Sequence, residues 1–192
     1  MTKKIAFLSI ILLTTLLFSA CFRVRTPEPP DNLGTSWNPP TSPDLLLSNF
    51  VMALEGANAQ NYSRCFSEQS FHFSPTPSWY NGHESIWLNW GINDEKTYLN
   101  NIKTDLRNGA VIQLNWEQAL FQNLTADSVN YTATYHLDVP HKDSSLTNIF
   151  HGRITFKMKL NPAGNVWEIT EWRDLEINPD SAWSRLKWEY IQ

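Results

Sequence analysis

The sequence predicts an α+β fold in which amino-terminal helices pack against four to five long antiparallel strands. Apolar and polar residues alternate over residues 128–139 and again over residues 150–160. This alternation is typical of strands that bury one face and expose the other to water. Apolar residues at helical spacing come earlier, from residue 44 onward, so helices and sheet should occupy separate parts of the chain.

Three helices are predicted before the long strands. The first covers residues 43–55, with Ser42 as N-cap and a proline at its first position. Asn58 can cap a shorter second helix. The third covers residues 94–106, where four apolar side chains fall on one helical face. The intervening residues 79–93 are aromatic but irregular, and we expect a loop or lid with a short helical turn.

The strands are predicted from their period of two. They cover residues 71–74, 110–121, 128–139, 150–160 and 166–175. In the last strand the apolar phase changes between Ile169 and Trp172, which predicts a β-bulge or a bend. A tight turn is expected at residues 161–165, with Gly164 taking the positive φ.

The chain of 192 residues divides into four predicted parts. Residues 1–20 are typical of a lipoprotein signal peptide, and residues 21–42 are a proline-rich tether. Residues 43–178 have the usual length of one domain. Residues 179–192 are expected to form a carboxy-terminal helix or wrap that covers an exposed edge.

The leader begins with two lysines and continues with an apolar run of about 14 residues, fewer than the roughly 20 that span a bilayer. It ends at Cys21, and the preceding Phe-Ser-Ala resembles a bacterial lipobox. The resemblance implies cleavage before Cys21 and acylation of that residue, for example with palmitate. Two or three acyl chains anchor a protein firmly to a membrane. Phe22 follows the cysteine, and in lipoproteins of the enteric type the resemblance implies export to the outer membrane of the cell envelope. The alternatives are a retained transmembrane helix and an unlipidated signal peptide.

Charge and cysteine content exclude several classes of function. Loss of the leader lysines takes the formal net charge from −4 to about −6, and no basic run follows residue 25, which disfavours nucleic-acid binding. With Cys21 acylated, Cys65 has no disulfide partner and is expected in the core. The five histidines lack zinc-motif spacing, so no metal and no cofactor are predicted.

The order of elements and two segments resemble the nuclear transport factor 2-like superfamily, the cystatin-like α+β cones that include ketosteroid isomerases, SnoaL-like cyclases and many lipoproteins. The segments are residues 165–174, a tryptophan-bearing last strand, and residues 181–187, a tail of some lipoprotein members. The resemblance covers residues 43–190. It implies a curved sheet that wraps around three helices and encloses a central cavity, and homodimers that form through the sheet.

The catalytic pattern of ketosteroid isomerases is absent. Those enzymes use a carboxylate base with a tyrosine and a protonated acid. Here residues 44–55 contain no tyrosine and residues 71–74 contain no acid. No catalytic residue is therefore assigned. His72 is a general-base candidate if its side chain points into the cavity.

Aromatic residues are the remaining candidates for a ligand site. Most tryptophans should belong to the core, while a minority can line an apolar pocket. We single out Trp87 and Trp90 as a lid, together with Trp116, Trp167 and His72 as ligand-binding candidates.

The sequence favours a lipid-anchored, noncatalytic envelope domain that binds a small apolar ligand or an envelope protein. The alternative is an isomerase, cyclase or dehydratase that uses the cavity of the cone. A deep pocket with convergent ionisable groups would favour the enzyme, and an interior filled with rings would oppose it. A homodimer through Thr132, Thr134 and Arg153 is a third hypothesis.

Overall fold

The computed structural model describes residues 37–191. In this part of the chain two helices are long, with 13 and 14 residues, and the short second helix packs against both of them. The bounds of the helices are α1 Pro43–Glu55, α2 Ala59–Ser63, α3 Pro77–Tyr80, α4 Glu84–Trp87, α5 Ile92–Asp105 and α6 Trp183–Glu189, with a 3₁₀ turn at Pro179–Ser181. Ser42 caps α1 by accepting the Leu45 amide, 3.2 Å away.

Within residues 37–191, five strands form one mixed sheet: β1 His72–Ser74, β2 Gln113–Thr125, β3 Ser128–Asp138, β4 Ile149–Asn161 and β5 Val166–Glu176. Their order across the sheet is β1-β5-β4-β3-β2. The four long strands pair antiparallel, whereas β1 pairs with β5 in parallel. The predicted α+β cone, with a sheet curved around amino-terminal helices, is confirmed.

Two local predictions about the last hairpin have different outcomes. The bulge in β5 is confirmed: Lys157 pairs with Glu171 and Met158 with Ile169, so Thr170 is the extra residue. The expected positive φ at Gly164 is wrong, because Asn165 adopts it instead, with φ 49°. Asparagine is among the few residues that tolerate this conformation.

The concave side of the sheet is filled with aromatic rings. Trp172, fully buried on β5, lies at the centre of this cluster. Five rings have centroids within 6.3 Å of its own: Phe50, Phe66, Phe73, Phe156 and Trp183. Trp183 belongs to α6, so the carboxy-terminal helix enters the concave side. This differs from the predicted role of covering a sheet edge.

The last residues of the predicted tether pack on the domain. The Trp167 amide donates to the Pro40 carbonyl at 2.7 Å, and the Asn49 side chain donates to the Asn38 carbonyl at 2.7 Å. The Arg64 guanidinium lies 4.2 Å from the centroid of the Trp37 ring. Cys21, the predicted signal peptide and the rest of the tether lie outside the described residues. Among the helices of residues 37–191, none has the length and apolarity needed to cross a membrane.

Candidate functional site

A carboxylate is buried at the start of α5. Glu95 lies in the first turn, where the amino-terminal end of the helix dipole favours a negative charge. It shares the inward face of the helix with Tyr98 and is fully buried. The Tyr62 hydroxyl donates to one carboxylate oxygen at 3.1 Å and the Trp90 indole donates to the other at 2.7 Å.

Lys187 of α6 is the ionic partner of Glu95. Its ammonium group contacts both carboxylate oxygens, and both side chains are fully buried. Aromatic rings surround the rest of the ammonium. Its distances to the ring centroids are 3.9 Å for Trp172, 4.5 Å for Phe73, 4.8 Å for Tyr98 and 5.3 Å for Trp90. We call this arrangement of Glu95, Lys187 and the four rings the ammonium box.

Burial acts on the ionisation of the groups in the box. Removal from water lowers the pKa of Lys187 to about 8, although the adjacent Glu95 carboxylate acts in the opposite direction. Burial also raises the pKa of Tyr62 well above its ordinary value, and the negative charge of Glu95 adds to this effect. The tyrosine hydroxyl is therefore a neutral donor.

A second buried acid lies beside the box on β5. The Asp174 carboxylate accepts the Tyr135 hydroxyl at 3.0 Å, and it accepts both the amide and the hydroxyl of Ser184, at 2.7 and 2.6 Å. Burial raises the pKa of Asp174, while the donors of Ser184 and Tyr135 act against that shift. The contacts fix the start of α6 on the sheet.

The contact between Tyr135 and Asp174 depends on a glycine. Gly152 pairs with Tyr135 across β3 and β4. A Cβ atom at Gly152 would lie 2.5 Å from the Tyr135 hydroxyl oxygen. Only glycine leaves room for this hydroxyl in its present position.

A third buried cluster fixes the end of α6. The Tyr190 hydroxyl lies 2.5 Å from His141 Nδ1 and 2.5 Å from Asp105 Oδ2, and His141 Nε2 lies 3.0 Å from the Thr147 carbonyl. Burial lowers the pKa of His141, while Asp105 acts in the opposite direction. No group of three metal-ligating side chains is present within residues 37–191.

An open groove lies next to the segment that precedes α1. It has a volume of about 430 Å³. The side chains that define it are Trp37, Arg64, Glu68, Ile92, Trp167 and Glu168. A second depression, lined in part by Glu68 and Ile92, adjoins it. Glu95, Asp174 and Lys187 line neither of them.

The structure separates the residues that the sequence singled out. Trp90 belongs to the ammonium box and Trp167 lines the groove. Trp116 is half-buried between Tyr131 and Phe156, with centroid distances of 5.8 and 6.3 Å. His72 is exposed, so it does not point into the cavity as a general base would.

The lid interpretation of Trp87 and Trp90 is corrected. Both rings are buried, with exposed fractions of 2% and 4%, and their centroids are 4.9 Å apart. The Trp87 indole donates to the Trp79 carbonyl at 2.7 Å. Apolar packing and a satisfied N–H place each ring in the core, where it cannot act as an exposed flap. Their binding of a ligand stays a prediction.

Sequence reasoning missed Glu95, Asp174 and Lys187 as a group. A signal was present, since each charged residue lies on an apolar stripe. Glu95 precedes Tyr98, Leu99 and Ile102 at helical spacing, and Lys187 follows Trp183 by four residues. Asp174 falls in the inward phase of β5 after the bulge. A charge on such a stripe indicates a buried partner elsewhere in the chain.

Comparisons with known proteins concern the fold. Neither protein-family models nor curated protein sequences gave a match to this chain. Similar solved structures include a proposed aromatic ring hydroxylase from Novosphingobium aromaticivorans, with 14% identity and a TM-score of 0.54, covering 74% of this chain and 91% of that one.

Two further structures have a similar fold. A proposed scytalone dehydratase from the same species has 12% identity and a TM-score of 0.53, over 68% of this chain and 78% of its own. The hexachlorocyclohexane dehydrochlorinase LinA-type3 from Novosphingobium barchaimii has 11% identity and a TM-score of 0.50, over 67% and 79%. At these identities the likeness concerns architecture alone. Together with the mixed sheet and the helices on its concave side, it shows that this chain has the nuclear transport factor 2-like, cystatin-like α+β cone fold.

Proposed function

We propose that this protein is a noncatalytic, lipid-anchored binding domain of the bacterial cell envelope, and that its ligand occupies the groove beside Trp37 and Trp167. The observation that carries this proposal is the contrast between a filled interior and an open groove. Rings occupy the concave side, and the buried charges there contact each other. The groove is a space open to solvent beside aromatic side chains.

The lining of the groove defines the kind of ligand. Trp37, Trp167 and Ile92 offer apolar surface, whereas Arg64, Glu68 and Glu168 offer charge at the rim. A small, largely apolar molecule with a polar end matches this combination. The Arg64 guanidinium already lies over the Trp37 ring, so it is positioned to pair with an anionic end of such a ligand.

Mass spectrometry of small molecules that co-purify with the full-length, detergent-solubilised protein tests the ligand. We expect a compound that is retained by the unaltered chain and lost from Trp167→Ala. Tyr80→Ala is the matched control, because this exposed ring lies outside the groove. Equal recovery of the compound from both variants would exclude the groove as its site.

The envelope location is proposed from Cys21 and the apolar run before it. Residues 22–36 span up to roughly 50 Å if they are extended, which is enough to hold the domain away from a bilayer. Labelling of growing bacteria with an alkynyl palmitate analogue tests the anchor. We expect labelling of the unaltered chain and none of Cys21→Ser, while Cys65→Ser keeps the label. Labelling of Cys21→Ser at the wild-type level would refute the anchor.

An enzymatic function is the second candidate, and the ammonium box is the observation that favours it. Glu95, Asp174 and Lys187 are acid–base groups on the concave side of the cone. A substrate could reach them only if α6 moved, because Lys187 and Trp183 fill the space. A panel of isomerisation and elimination substrates, assayed with the unaltered chain and Glu95→Gln, tests this function. Turnover that depends on Glu95 would support it over the noncatalytic proposal.

Homodimerisation through the outer face of the sheet is the partner proposal. Thr134 pairs with Arg153, and Thr132 pairs with Thr155, on the face turned away from the helices. Light scattering of the detergent-solubilised protein should give twice the protomer mass for the unaltered chain. The Arg153→Glu variant should give the mass of one protomer. An unaltered chain that is monomeric at tens of micromolar would exclude this dimer.

A further inference from the structure

The ammonium box has the features of a site for an organic cation. Four aromatic rings face the Lys187 nitrogen within 5.3 Å, and a carboxylate contacts it from another side. Aromatic faces attract cations through the ring quadrupole, and proteins recognise organic ammonium ligands with such cages. In this protein the cation is supplied by the chain itself.

We propose that the interior of the cone is a binding site for a small primary alkylammonium, and that Lys187 occupies it as a tethered internal ligand. This inference goes beyond the proposed function, because it concerns the interior and not the groove. The ammonium site and the ligand site in the groove are tested separately, so either proposal can fail while the other holds.

The contacts select a primary amine among cations. Both oxygens of Glu95 contact the Lys187 nitrogen, which requires N–H donors. A quaternary ammonium has no N–H group and cannot satisfy them. The enclosed nitrogen, with no exposed surface, also favours a compact head over a planar guanidinium.

The box does not depend on the Lys187 side chain for its position. The Asp174 carboxylate anchors the start of α6 through Ser184. The Trp183 indole donates to the Tyr98 hydroxyl at 2.9 Å, and Tyr190 contacts Asp105 at the other end of the helix. Removal of one lysine side chain therefore leaves α6 held at both ends and opens a space beside Glu95.

Substitution of Lys187 by alanine in the full-length protein tests the proposal. Lys187→Ala removes three carbons and the nitrogen beyond Cβ, which is the skeleton of n-propylammonium. Calorimetric titration of the variant should show binding of propylammonium. Ethylammonium, which is one methylene shorter, should bind about 4-fold more weakly. Propan-1-ol, a neutral compound of similar size, should bind more weakly than propylammonium by a factor of about 10 or more.

The double variant Glu95→Gln, Lys187→Ala is the matched control. It keeps the size of the residue at position 95 and removes the carboxylate. We expect it to lose the preference for propylammonium over propan-1-ol. The unaltered chain, whose box is already occupied by Lys187, should show no binding at the same concentrations. Equal affinity of Lys187→Ala for both compounds, or equal propylammonium binding by all three proteins, would overturn the proposal.

A refolding measurement tests the proposal in the case that Lys187→Ala does not fold without an added ligand. Denatured Lys187→Ala is diluted into propylammonium chloride or into potassium chloride of equal concentration, and the folded yield is measured by tryptophan fluorescence. A higher yield in propylammonium, absent from the double variant, supports the ammonium site. Equal yields in the two salts would overturn it.

Discussion

The ammonium box and the groove beside Trp37 both combine tryptophan rings with charged side chains, yet they differ in what those charges contact. In the box, Glu95 and Lys187 are fully buried and contact each other. In the groove, Arg64, Glu68 and Glu168 line an open space of about 430 Å³. The charges of the box pair with each other inside the fold, whereas the charges of the groove lie beside a space that a ligand can enter.

Buried ionisable groups in a cone do not by themselves indicate catalysis. A perturbed pKa often marks a functional site, but structural ion pairs also perturb pKa values. Here the lowered pKa of Lys187 is accompanied by contacts of its ammonium group with both oxygens of Glu95. Stability should respond most to changes in the box, and ligand binding should respond most to changes in the groove.

Lys187→Met should have the largest effect on stability. It leaves the Glu95 carboxylate buried without its cation, and breaking a buried pair in this way costs about 3–5 kcal/mol. Urea unfolding followed by tryptophan fluorescence measures the loss. Lys159→Met, at an exposed lysine of β4, should change the free energy of unfolding by no more than about 0.5 kcal/mol. A cost below 1 kcal/mol for Lys187→Met would contradict the structural role of the pair.

Asp174→Asn should cost about 1–3 kcal/mol of unfolding free energy. Tyr135 and Ser184 present three donors to this carboxylate, and an amide would place its own N–H₂ group against at least one of them. The same urea titration measures the change. The control is Asp180→Asn, at an exposed aspartate of the nearby 3₁₀ turn. Equal stability of the two variants would show that Asp174 is not required to anchor α6.

Stability should depend on pH through Lys187. Its pKa is about 8 in the folded chain and near 10.5 when it is exposed to water. Between these values the unfolded chain holds one more proton, so the free energy of unfolding rises with pH by up to about 1.4 kcal/mol per unit. This contribution is present above pH 10.5 and is lost as the pH falls through 8. Lys187→Met should lack this slope between pH 8 and 9.5, and identical slopes in both proteins would refute the assignment.

Arg64→Gln should have the smallest effect on folding. The guanidinium lies over the Trp37 ring at the surface, where a cation–π contact contributes about 0.5–1 kcal/mol. Recovery of the co-purifying ligand should nevertheless fall, because Arg64 lines the groove. Arg107→Gln, at an exposed arginine outside the groove, should leave that recovery unchanged. Full ligand recovery from Arg64→Gln would show that Arg64 does not contribute to ligand binding.

Much of the fold could be predicted because its long elements have strong periodicity. The helix at residues 43–55 was predicted to the residue, and β3 and β4 were predicted within one residue at each end. The parallel pairing of β1 with β5 could not be predicted. A three-residue strand carries too little pattern to specify its partner, which lies almost 100 residues away.

The candidate sites were less predictable than the fold. Trp167 lines the groove and its binding of a ligand stays a prediction, whereas Trp87 and Trp90 are core rings. The sequence around a tryptophan does not show whether its indole lines a pocket or fills a core. The difference depends on neighbours that are distant along the chain, such as Phe73 and Lys187.

The sequence by itself determined the α+β class, the order of helices and strands, and the expectation of a lipid anchor at Cys21, because period, caps and leader composition are local properties. Only the tertiary structure decided that Lys187 meets Glu95 across 92 positions and that α6 enters the cone. A charge on an apolar stripe must find a partner when it is buried, but the stripe does not specify which one. That choice is made when the curved sheet brings α5 and α6 together on its concave side.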